Sequence, residues 1–196
     1  MKTLIVLLLA LAAGTAHAQT PKLLAPVGVT YSSVGYTETQ GDLDRSFFGP
    51  RPDVTGTFSV IGLSGGIFYV SESGLGGTGS MEFGRIAQNN IRFDAKDPRW
   101  SWNSTVNGLY AFNDYFLVTA GFHTGTMYSA TLRTSYVGLG LQGGVGVTFG
   151  PLLLQAERLW DSGGFFDVFD LGHVSQKVSR FSLSYLISLN SGSERP

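Results

Sequence analysis

The residues of this chain that could do chemistry are few, and His123 is the first of them. An imidazole base needs a hydroxyl to deprotonate and a carboxylate to orient it, and Ser129 or Ser135 with Glu157 could supply both. That set would make an acyl hydrolase. The strand alternation around His123 turns it inward, which favours a satisfied interior histidine. A second constellation is Glu157 with Arg180, on the polar faces of two segments that a hairpin would bring to one level. With Gln142 and Tyr136 they would form a hydrogen-bonded network, since desolvated charges need partners. The third is "WDSGGFFDVFDLGH", where Phe165, Phe166 and Phe169 stand among Asp161, Asp167 and Asp170. Aromatics ringed by carboxylates suit contact with a partner or a surface glycan, or packing over a barrel mouth.

Other motifs carry less. "GLGGTG" (74–79) and "GLGLQG" (138–143) fit the dinucleotide fingerprint but open no helix within a βαβ unit. "NST" (103–105) lies mid-strand. His123 and His173 are far apart with no cysteine nearby, a poor metal set. The acids near 161–170 lack the spaced ligands of a calcium loop. No cofactor and no metal are expected.

These side chains must be positioned by something, and the chain opens with an export signal. "MKTLIVLLLALAAGTAHAQ" has a positive start, a short apolar run and Ala16-His17-Ala18 as a cleavage site. Residues 1–18 read as a cleaved signal peptide, residues 19–189 as one domain and 190–196 as a polar tail. Formal net charge is −1, so no basic field points to nucleic acid. Glycine occurs 27 times in 196 residues, about twice the usual ~7%. Charged residues make up 14%, against ~25% in ordinary soluble domains. No long 3.6-residue apolar pattern is present, so helices should be minor.

Alternation predicts eight strands, near 26–36, 54–63, 66–72, 100–112, 115–126, 132–148, 152–160 and 176–189. In "WSWNSTVNGLYAF", Trp100, Trp102, Val106, Tyr110 and Phe112 share one face. In the last strand Phe181, Leu183, Tyr185 and Ile187 alternate with Arg180, Ser182, Ser184 and Ser188. Three connections read as tight turns: Ser64-Gly65, Asn113-Asp114 and Phe149-Gly150-Pro151. They alternate with long ones at 37–53, 73–99, 127–131 and 161–175. "MEFGRIAQNNIRFDA" within 73–99 is expected to form an extra hairpin above the rim.

Short turns at one end and long loops at the other are the asymmetry of a membrane barrel. Aromatics collect at both strand ends: Trp100, Trp102 and Trp160 towards the loops, Phe112, Phe116 and Phe149 towards the turns. They would form two girdles at the membrane interfaces. The apolar faces are assigned to lipid and the glycine- and serine-rich faces to a narrow lumen.

On this pattern, with "YAFNDYFLVTAGF" its best local example, the chain resembles the small eight-stranded outer-membrane barrels, of the OmpA membrane domain, OmpX and OmpW kind. The resemblance covers nearly all of residues 26–189. It implies an all-β, closed, antiparallel up-and-down transmembrane barrel in the cell outer membrane. Such barrels usually end on an aromatic residue, whereas this chain passes Leu189 and adds "NSGSERP". "FHTGTMYS" also departs from the His-x-Ser-Asn-Ala stretch of barrel deacylases. The expected role is non-enzymatic: envelope-structural, or surface recognition through the outer loops. Expected partners are outer-membrane lipid and a surface partner or glycan, with no nucleic acid and a monomeric state. The alternatives are a narrow channel for small or amphipathic solutes, an envelope lipid hydrolase, and a soluble periplasmic ligand-binding barrel.

Overall fold

The computed structural model describes residues 22–89, 100–129, 134–164 and 172–189. Eight strands follow in chain order: β1 (Lys22–Gln40), β2 (Val54–Val70), β3 (Leu75–Asn89), β4 (Trp100–Ala111), β5 (Phe116–Ser129), β6 (Thr134–Phe149), β7 (Leu152–Gly164) and β8 (Gly172–Ser188). Each pairs antiparallel with its chain neighbour, and β1 pairs with β8 to close the barrel. The expected all-β, up-and-down architecture is the one observed. A short helix, α1 (Asp42–Phe48), sits in the β1–β2 connection.

Closure comes with a stagger. Directly opposed residues lead once round the barrel from Leu24 through Phe68, Thr78, Asn107, Gly121, Gln142, Leu159 and Val178 to Val34, ten positions further along β1. A shift of that size tilts the strands by roughly 35–45° to the axis. Eight tilted strands enclose a space just wide enough for side chains.

The count of eight holds, but two assignments change. Ser64-Gly65 is no turn: β2 runs straight through it, opposite Gly28 and Val27 of β1. The turn lies at 71–74, where Ser71 N–H donates to the Leu75 carbonyl at 2.8 Å and Gly74 takes φ 79°. Left-handed backbone of that kind favours glycine. The expected extra hairpin is likewise corrected. Met81–Asn89 is the loop-ward half of β3, and 90–95 lie outside the described residues. The glycines mislead because they serve packing here, not turning. A Cβ on Gly62 would sit 2.7 Å from the Phe83 carbonyl oxygen, so a side chain there would collide with β3. Elsewhere the loop ends of β1, β5, β7 and β8 extend beyond their expected limits.

The two faces of the sheet differ sharply. Outward stand Leu63, Phe83, Val106, Phe122, Leu139 and Phe181, each at least half exposed. Inward, the stripe is not uniformly polar as expected. An apolar cluster built on Val34, Phe58, Val60, Met127 and Leu159 fills the loop end of the lumen. A second, on Phe68, Val70, Leu109, Leu117 and Leu153, lines the turn end, where a cavity of about 240 Å³ opens beside Leu24 and Leu186. Polar side chains occupy the layer between.

Candidate functional site in the barrel lumen

The polar layer is built on Arg180 of β8. Its register partner on β7 is Glu157, and Nε donates to Glu157 Oε2 at 2.8 Å while Nη2 lies 2.7 Å from the same oxygen. Nη1 donates to Glu82 Oε2 of β3 at 3.2 Å, and Nη2 to Gln142 Oε1 of β6 at 3.4 Å. Thr30 donates to the other oxygen of Glu82 at 2.5 Å. Gln142 donates in turn to Asn107, and Asn107 to Thr78 Oγ1 at 3.2 Å. Six strands thus contribute to one connected network. Arg180, Glu82, Gln142 and Asn107 are all buried. Removing a guanidinium from water is costly, and two carboxylates with an amide oxygen offset that cost here.

Loop-ward of this belt, buried His123 of β5 bonds through Nε2 to Asp161 of β7. Tyr36 donates to Glu38 on β1. A cavity of about 40 Å³ lies on each side of the belt. Such volumes hold a few water molecules and no larger solute. Three buried polar atoms, His123 Nδ1, Asn103 Oδ1 and Gln176 Nε2, have no protein partner and line the loop-ward cavity.

The structure brings Glu157, Arg180 and Gln142 together. The Tyr136 side chain lies outside the described residues; its backbone pairs with Met127. Glu82 completes the belt, although the sequence reading places it in the 73–99 connection. The signal was present in "GTGSMEFGR": Gly79, Met81, Phe83 and Arg85 alternate with Thr78, Ser80, Glu82 and Gly84.

Asp161 needs correcting. The sequence reading sets it among the outer-loop acids, but β7 runs on to Gly164 and buries it against His123. Phe165, Phe166, Phe169, Asp167 and Asp170 lie outside the described residues. Of the imagined acyl-transfer set, Glu157 bonds Arg180 while His123 bonds Asp161. The side chains of Ser129 and Ser135 are outside the described set. On the outer face Trp100, Phe116, Phe149 and Trp160 are exposed, whereas Trp102 and Phe112 are half-buried. Phe112 packs edge-on against Tyr110 at 4.9 Å.

No family model and no curated protein matches the chain. Among solved structures it is similar to the outer membrane protein AlkL, determined by solid-state NMR in DMPC lipid bilayers. Identity is 12%, over 90% of this chain and 96% of that one, with TM-score 0.50. The fold is that of a small outer-membrane barrel. Lower-scoring matches are Neisserial surface protein A (12% identity, 81% and 96% covered, TM-score 0.42) and Ail, the attachment invasion locus protein of Yersinia pestis (16%, 82% and 99%, 0.36). At such identities the likeness is one of architecture alone.

Proposed function

We propose that this chain is a non-enzymatic barrel of the cell outer membrane. Residues 1–18 would be its export signal and 190–196 a polar tail. It serves the envelope structurally, as a monomer, and offers its loop end to a surface partner or glycan. The observation that carries this reading is the apolar outer face, bounded by tryptophans towards the loops and phenylalanines towards the turns. In hydrocarbon no water can satisfy a backbone amide, so a spanning sheet must close on itself, as this one does. A soluble barrel of the same topology would place such a face in water.

Single cysteines at 106, 139 and 183 test the assignment. In membrane-inserted protein they should resist a water-soluble maleimide, whereas a cysteine at Asp114 in the β4–β5 turn should react when that side is exposed. Ready modification at all three outward positions would sink the membrane reading.

The lumen supports a non-conducting role over a channel. Two apolar clusters cap the belt, and the belt itself is fully cross-bonded. A passage lined by such clusters sheds water and blocks ions.

A further inference from the structure

Charge is sorted between the two faces of this barrel. Among the described residues the strand carboxylates, Glu38, Glu82, Glu157 and Asp161, are all turned inward and buried. Three strand cations face the other way: Arg85 on β3, Arg158 on β7 and Lys177 on β8. Arg85 and Lys177 lie in the loop-ward half of their strands, and Arg158 stands at the middle of β7, two residues turn-ward of Trp160. Two are register partners of tryptophans, Arg85 of Trp100 and Lys177 of Trp160.

Arg158 and Lys177 are diagonal neighbours, because Arg158 stands opposite Ser179 and Lys177 opposite Trp160. Their Cβ atoms are therefore about 7–8 Å apart. Arg158 Nη1 donates to Ser179 Oγ, its register partner, which draws the guanidinium across onto β8, the strand that carries Lys177. Gly143 of β6, beside Arg158, and Gly35 of β1, beside Lys177, leave the flanks of the pair low.

We infer that Arg158 and Lys177, beside Trp160, form a binding site for the phosphate of an anionic lipid in the leaflet next to the loops. This deepens the membrane reading above and rests on it. A cation on a lipid-facing strand costs ~2–4 kcal/mol at mid-bilayer and only ~0–1 near an interface, which suits a position beside the outer tryptophans. Guanidinium offers a planar fork that matches phosphate oxygens, and ammonium adds a second point charge. With the carboxylates gathered in the lumen, no described strand acid competes for the pair. A lipid phosphate supplies the negative charge that the pair would take from the bilayer.

The test uses the full chain reconstituted in phosphatidylcholine nanodiscs doped with phosphatidylglycerol. Native mass spectrometry of the released barrel reads the ratio of the two lipids retained. The wild type should enrich phosphatidylglycerol, and Arg158→Gln and Lys177→Gln should each lower the enrichment about fivefold. Lys22→Gln, at the turn end, should leave it unchanged. An unchanged ratio in the double variant, with heat-modifiable migration showing an intact barrel, overturns the site. Failure of the wild type to enter nanodiscs at all overturns the membrane reading itself.

Discussion

Arg180 is the side chain on which the interior turns. It holds two buried carboxylates, from β3 and β7, that would otherwise face each other without a counter-ion. Arg180→Ala should therefore lower stability by about 3–5 kcal/mol, read from urea unfolding of the liposome-inserted barrel. Combining Arg180→Met with Glu82→Gln and Glu157→Gln should restore most of the loss, because the set is then neutral throughout. If the triple variant is no better than the single one, the belt is held by something other than charge pairing. Gly66 makes a complementary case. A Cβ there would collide with the Gly79 carbonyl oxygen across the β2–β3 pair. Gly66→Val should cost about 1–3 kcal/mol in the same assay. The same change at Gly79, where a Cβ would meet only the Thr105 carbonyl oxygen at 3.9 Å, should cost far less.

At the scale of elements, the clearest test concerns β2. Two residues inserted after Gly65 should abolish the folded gel form, since they shift the rest of the strand off its partners on β1 and β3. The same insertion after Glu72, in the exposed turn, should be tolerated. The reverse pattern would return the turn to where the glycines suggest it. That comparison also shows what the chain reveals unaided. Strands with large outward residues and small or polar inward ones, such as β4, β6 and β8, are legible from alternation. So is the pairing of Glu157 with Arg180. β3 was hidden because half of its outward positions near the turn are glycine, and alternation needs contrast. Losing β3 lost Glu82 with it. Asp161 was misplaced because nothing local marks how far β7 continues beyond Trp160; its partner His123 lies on another strand.

For the whole molecule, the expectation is electrical silence. A lumen lined at both ends by apolar side chains and cross-bonded at its centre should give no openings in planar bilayers. Repeated unitary steps from the purified wild type would require a wetter interior and would revive the solute channel. The seam between β1 and β8 has its own consequence. It joins the two ends of the described chain, from Leu24 opposite Ser188 to Gln40 opposite Gly172. Those contacts have the greatest separation in the sequence, so their loop-closure cost is the steepest of any pair. The first strand made is left with a bare edge until the last arrives. Maturation is thus a single late latch, and a chain cut short of β8 would reach the bilayer with two unsatisfied rims and no way to seal them.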